Sequence, residues 1–210
     1  VAERVPLDLL DVAVVRKRAR LVVVAALVLG LVIGEVVALL GGFIAGGIAA
    51  AVVAVPLIVL AVVEARRRVW LEGTRVSVRA LGTRTVDLHG LTGLDLMVTD
   101  VRATRTIGLL ITGTPKGRTI NVALATYAAA GGRELGVLAL RRLADGLSGA
   151  GDPGPLVFAE LLVAQLRAEA RGADLGGRPL YRLAAGVPAG KLAQRIQTDA
   201  VTSFVATLDS

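Results

Sequence analysis

The chain has 210 residues, of which 54% are hydrophobic, 20% charged and 3% aromatic, with a formal net charge of +7 and no cysteine. That composition excludes a disordered chain, disulfides, thiolate chemistry and cysteine-ligated metal, and the single histidine, His89, excludes a multi-histidine metal site. At roughly 150 residues per domain, the length accommodates one folded core and a further segment.

Residues 1–20 read as a basic N-terminal segment, with Arg16, Lys17, Arg18 and Arg20 standing directly before an apolar block. From Leu21 to Val63 the only charged side chain is Glu35. Residues 21–40 hold fourteen Leu, Val or Ile, and as a helix they rise about 30 Å, the hydrocarbon thickness of a bilayer. Those side chains favour insertion by about 4–8 kcal/mol, whereas Glu35 opposes it by about 2–3.5 kcal/mol, so insertion wins. Residues 43–63 are of similar length and uncharged, and their Pro56 is of a kind tolerated in lipid. A cleaved signal peptide has a shorter apolar core and no second span, and a buried soluble hairpin needs a larger protein shell than the rest of the chain supplies. Two transmembrane helices, returning antiparallel through Gly41 and Gly42, are therefore expected.

Basic residues flank both outer ends of this hairpin, with Arg66, Arg67 and Arg68 at the second, and none flanks the turn. The positive-inside rule then puts both termini in the cytoplasm of a multi-pass inner-membrane protein, with these seven basic side chains at the lipid headgroups. Gly30 and Gly34 form one G-x-x-x-G, Gly42 and Gly46 another, and Ala45, Ala49, Ala50 and Ala54 add a small-residue surface, so helix packing is expected there. Glu35 is an intramembrane carboxylate, which must be protonated, paired or wet. The second span offers it no basic or amide partner. It lies near the far headgroups or bonds to neighbouring backbone, or else it serves proton or ion movement or pairing with another subunit.

Residues 69–124 change to a two-residue period: Val76 and Val78; Val86 and Leu88; Leu94, Leu96 and Val98; Ile107, Leu109 and Ile111; Ile120, Val122 and Leu124. About six short, half-buried antiparallel strands are expected, with turns at Leu81-Gly82-Thr83, His89-Gly90 and Thr114-Pro115-Lys116-Gly117. Gly132–Leu147 then reads as an amphipathic helix, with Leu135, Val137, Leu138, Leu143 and Leu147 on one side. Closely spaced strands closed by one helix predict a β-sandwich or partly open barrel.

A basic stretch, a transmembrane hairpin, the run V-W-L-E-G-T-R-V-S-V-R-A-L-G-T-R-T-V-D-L (Val69 to Leu88), further strands and a helix together resemble the bacterial pleckstrin-homology-like membrane proteins, particularly small actinobacterial ones. The likeness covers roughly residues 15–147 and lies in arrangement. It implies an α+β membrane protein whose domain at residues 69–147 binds rather than catalyses. The helix lacks the tryptophan common in eukaryotic members, the first hairpin Glu72-Gly73-Thr74-Arg75 lacks a K-x-R-like cluster, and the strand count falls one short of the usual seven. Phosphoinositide binding is not implied.

Residues 148–155 are rich in Gly and Pro and open a helical extension, 148–210. Pro155–Ala170 offers a helix with Phe158, Leu161, Leu162 and Leu166 along one face, Arg171–Pro179 a loop, and Gly190–Leu208 a third helix with Leu192, Ile196, Ala200, Phe204 and Leu208 at four-residue steps and Lys191 elsewhere. These stripes pack on the domain or, through Phe158, Leu162, Leu166, Ile196 and Phe204, dock a protein partner or a second copy.

No G-x-S-x-G or phosphate loop occurs, and Asp87, Asp95, Asp100 and Asp145 have no spacing that fixes a metal or an acid–base pair. No enzyme activity and no cofactor are expected. Arg79, Arg84, Arg102, Arg105, Lys116 and Arg118 bias residues 76–147 towards positive charge, but Tyr127 is the only aromatic in that stretch available for stacking, so anionic lipid fits better than nucleic acid. The expected function is a membrane-tethered binding or scaffolding module. The alternative is a small oligomeric transport or channel component built around Glu35.

Overall fold

The computed structural model describes residues 3–113, 117–129, 131–188 and 192–208. The fold is α+β, and the chain divides into two compact units, one formed by Leu10–Arg67 with Arg79–Gly82, the other by Val1–Leu9, Arg68–Val78 and Thr83–Ser210. The proposed turn residues Thr114, Pro115 and Lys116, and Gly190 and Lys191 of the expected third helix, lie outside the described residues.

The first unit is a helical hairpin. Helix α1 (Val12–Gly41) and helix α2 (Phe43–Arg66) are each long and apolar enough to cross a membrane. Helix α1 starts well before the apolar block, so Arg16 to Arg20 lie on its first turns and not in a separate segment. A helix can continue through them because Arg and Lys are good helix formers. The turn is a single residue, Gly42, at φ +85°, a left-handed conformation that glycine takes without steric cost.

Among its described residues, the second unit holds nine strands in two antiparallel sheets. Strands β1 (Arg4–Pro6), β2 (Arg68–Glu72), β3 (Arg75–Arg79) and β4 (Thr83–Asp87) form one sheet in that order. The other has the order β8 (Gly131–Glu134), β7 (Arg118–Ala128), β6 (Thr104–Gly113), β5 (Leu91–Val101), β9 (Ala193–Ile196). Six strands fall between residues 68 and 128. Helices α3 (Val137–Ser148), α4 (Pro153–Ala170), α5 (Pro179–Gly186) and α6 (Thr198–Ala206) complete the unit. Alternate residues of β5, β6 and β7, such as Leu96, Ile107, Leu109 and Val122, join Leu140, Leu143, Leu147, Phe158 and Leu162 from the helices in one core.

Three expectations are corrected. Residues 1–20 are not only a basic leader, because β1 pairs with β2 in the register Arg4↔Glu72, Val5↔Leu71, Pro6↔Trp70. A proline is accommodated there because β1 is an edge strand. The helix drawn from Gly132 starts at Val137, and Gly131–Glu134 instead pairs with β7; Val137 and Leu138 are exposed, while Leu140, outside the expected stripe, is buried. The helix drawn over Gly190–Leu208 is strand β9 followed by α6, with Ile196 opposite Leu96. Of the two readings of the stripes in residues 148–210, packing on the domain is the one observed, since side chains of α4, α5 and α6 supply part of the core.

Candidate functional site

The hairpin seam is built from the smallest residues. A Cβ at Gly30 would lie 2.9 Å from the Ala50 carbonyl oxygen, one at Gly34 2.9 Å from Ala50 Cβ, and one at Gly46 2.5 Å from the Gly34 carbonyl oxygen. Absent side chains let the two backbones approach, which is how small-x-x-x-small patterns bring helices together. Gly42 is the exception among the four glycines of this pattern. It lies at the turn, where a Cβ would meet nothing within 4 Å, so its role is conformational and it makes no helix–helix contact.

Glu35 is exposed on the outer surface of α1, one residue along from Gly34, which is buried in the seam. Leu31, Val32, Val36 and Leu39 around it are 55–85% exposed. A helix turns about 100° per residue, so neighbouring positions address different faces. Arg16, Lys17, Arg18 and Arg20 lie on the opening turns of α1, Arg66 closes α2, Arg67 caps it through its backbone N–H on the Glu64 carbonyl, and Arg68 begins β2, half-buried.

The basic side chains expected to give residues 76–147 their positive bias differ in exposure and partners. Arg84, Arg102 and Arg118 are exposed, as is Arg79 at the end of β3. Arg105 is committed elsewhere: its Nε lies 3.3 Å from Asp100 Oδ2, and its Nη1 donates to the carbonyls of Ala184 (2.9 Å) and Ala185 (3.2 Å) at the end of α5. It satisfies carbonyls that a helix C-terminus leaves without partners.

The residues offered for partner docking are covered by this chain's own core. Phe158 and Leu162 are 1% exposed, and Leu166, Ile196 and Phe204 are half-buried against the same cluster, with the Arg182 guanidinium 5.4 Å over the Phe204 ring. Their stripes reflect internal packing, and docking through these five side chains is withdrawn.

A buried polar cluster holds the C-terminal helices to the sheet, and sequence reasoning missed it. Glu134 Oε1 accepts from the Tyr127 hydroxyl at 2.7 Å; Glu134 Oε2 accepts from Gln165 Nε2 at 2.8 Å and from Arg178 Nη1; Gln165 Oε1 accepts from the Leu180 N–H at 3.0 Å. The Tyr127 ring meets Tyr181 edge-on at 5.1 Å. Burial, the hydrogen bond to Glu134 and that carboxylate's charge push the Tyr127 phenol well above its ordinary range, with Arg178 opposing. One signal was available: Gln165 interrupts the apolar stripe of α4 three residues after Leu162. A polar group in such a stripe needs buried partners.

The other carboxylates have local duties. Asp87 receives the His89 amide at 3.1 Å and Arg75 Nε at 3.5 Å. Burial disfavours its ionised form, but the His89 amide, Thr74, Arg75 and the His89 charge outweigh that and hold its pKa below the ordinary value. Asp95 lies 2.7 Å from Arg195. Among the described residues, no group of three or more His, Asp or Glu side chains is placed to hold a metal ion.

Comparison with protein-family models, with curated proteins and with solved structures finds no match for this chain. The molecule therefore stands on its own geometry: an α+β chain carrying two apolar helices compatible with a transmembrane hairpin.

Proposed function

We propose that this chain is an integral membrane protein in which α1 and α2 cross the bilayer as a hairpin and tether a pleckstrin-homology-like domain that binds a protein partner or anionic lipid. The observation that carries the reading is the antiparallel pairing of β1 with β2. One strand precedes the hairpin and the other follows it, so both ends of the apolar segment return to one sheet, as a segment crossing twice requires. Seven strands, β2 to β8, followed by α3 supply the strand count that the pleckstrin-homology resemblance implies. The basic residues at both open ends of the hairpin favour the cytoplasmic side of the inner membrane for the domain. A binding role is preferred over catalysis because Asp87, Asp95, Asp100 and Glu134 are each engaged in an ion pair within the domain.

The natural absence of cysteine allows a direct test with single-cysteine variants and a membrane-impermeant maleimide. In intact cells, Phe43→Cys at the hairpin turn is expected to react, whereas Leu81→Cys and Leu192→Cys react only after lysis; all three positions are at least 75% exposed. Reaction of Leu192→Cys from outside reverses the orientation, and release of the protein by alkaline extraction removes the membrane reading. For the binding role, a photocrosslinker on Leu138→Cys, exposed on α3, is expected to yield a discrete heavier adduct in native membranes. No adduct there or from other exposed positions of the domain counts against a binding module.

The outward position of Glu35 favours a second reading, in which several hairpins assemble around that carboxylate as a small transport or channel component. Glu35→Gln would then abolish ion or proton flux in reconstituted vesicles while leaving assembly intact. Equal flux in both forms, or none in either, removes it.

A further inference from the structure

At the end of the hairpin away from Gly42 the seam opens into a groove of about 440 Å³, within the range of about 300–1,000 Å³ usual for small-molecule sites. Val15 and Val22 from α1 and Leu57 and Leu60 from α2 line it, and Arg18 and Glu64 are its charged side chains. Positions 15, 18 and 22, like 57, 60 and 64, recur at three- and four-residue steps, so each helix contributes one continuous face. Where Gly30, Gly34 and Gly46 close the seam with no side chain, this stretch is lined mostly by branched side chains, with Ala19 and the buried Ala61 among them.

We propose that this groove is a binding site for one anionic phospholipid, an acyl chain lying along Val22, Leu57 and Leu60 and the phosphate meeting Arg18. The proposal deepens the membrane reading and rests on it. Two features of the hairpin select this occupant. An apolar groove surrounded by hydrocarbon is filled by hydrocarbon, since the bilayer core has no water to offer. Charge at this end of the hairpin then selects the headgroup: within Leu10–Arg67 the basic residues near it are Arg16, Lys17, Arg18, Arg20, Arg66 and Arg67, and the acidic ones are Asp11 and Glu64. A basic excess of that kind at headgroup level attracts anionic lipid. Glu64 bears on the choice among anions. A second negative charge on the headgroup would be repelled, whereas the hydroxyls of a glycerol headgroup can donate to it, so phosphatidylglycerol fits the pair better than phosphatidic acid.

The test uses the full chain. Membranes are first extracted at alkaline pH, and the pelleted protein is then purified in mild detergent and probed by native mass spectrometry with added phosphatidylglycerol, phosphatidic acid, phosphatidylcholine or water-soluble glycerol phosphate. The expected result is one retained phosphatidylglycerol per chain, preferred over phosphatidylcholine by about fivefold, the effect of one basic side chain at an anionic surface. Glycerol phosphate should not bind, because it has no chain to fill the groove. Arg18→Gln should lower the preference to about unity while a lipid is still retained, and Leu60→Trp, which fills the groove, should abolish retention. Pelleted protein that retains no lipid, or Arg18→Gln with an unchanged preference, overturns the lipid site and leaves the membrane reading standing. Release into the alkaline supernatant overturns both.

Discussion

In the hairpin, the residues hidden between the helices are Ala26, Gly30, Gly34, Gly46, Ala54 and Ala61, while Leu40, Phe43 and Ile44 are 80–92% exposed. In the sheet unit the order is reversed: Phe158, Leu96, Ile107 and Leu140 are at most 1% exposed. The two carboxylates Glu35 and Glu134 invert in the same sense, the first on the outside of an apolar helix, the second inside a core with three donors on it. Water sorts side chains by polarity and drives large apolar groups inwards. Hydrocarbon does not, so helices there associate by closeness of approach, and size replaces polarity as the sorting variable. One chain thus carries two packing rules, each suited to its proposed medium.

The largest expected effect breaks this contrast at the carboxylates. Glu134→Ala leaves Arg178 and Gln165 without their acceptor and should destabilise the sheet unit by about 3–5 kcal/mol in denaturant unfolding, whereas Glu35→Ala should change the hairpin's stability by less than about 0.5 kcal/mol. Equal costs would mean that the outward carboxylate is buried in an assembly. Next comes size. Gly46→Val adds atoms where no space exists and should weaken helix association by about 1–3 kcal/mol in a steric-trap assay. Gly47→Val is its control, since a Cβ there meets nothing within 4 Å. A null result at both positions would show that the seam is not held by close approach.

The third effect depends on pH. An unfolded tyrosine titrates near pH 10, but the folded Tyr127 stays protonated well above that. Its contribution is complete below about pH 10 and is lost as the pH rises further, because only the unfolded state then releases the proton. Tyr127→Phe should cost about 1 kcal/mol at neutral pH and flatten the alkaline limb of the stability curve; an unchanged limb would assign the alkaline loss to other groups. The smallest effect concerns the β5–β6 turn, where Arg102 and Ala103 have φ of +51° and +58°. Ala103→Gly removes Cβ strain and should raise stability by up to about 1 kcal/mol in thermal melts. A loss there would mean that the turn is held without strain.

Those same two residues illustrate why only part of the fold is legible in the sequence. The hairpin is legible because uninterrupted apolar runs and the basic residues beside them are local signals, and Val76 to Leu124 is legible because alternation is local too. The β5–β6 turn carries neither the Asn nor the Gly that such turns favour, so nothing in the chain announces it. Strands β1, β8 and β9 are three or four residues long and too short to display a period. Helix α6 is short enough that the strand before it can be merged into its stripe. The Glu134 cluster draws Gln165 and Arg178 from 31 and 44 residues away, and no local pattern encodes such convergence. The groove lined by Arg18 and Glu64 is likewise a property of two helices together.

The pairing of β1 with β2 reaches beyond topology. The Leu7 N–H donates to the Val69 carbonyl at 2.9 Å, and the Val69 N–H donates to Asp8 Oδ1 at 3.0 Å, so the chain leaves and re-enters the sheet at neighbouring points. In connectivity the two strands are an ordinary β-ribbon whose tip has been replaced by the greasy segment. Splicing Leu9 to Arg68 through an Asn-Gly tip would restore a conventional ribbon and free the sheet domain from detergent, as a portable module to be crystallised, titrated with ligands or transplanted onto another anchor.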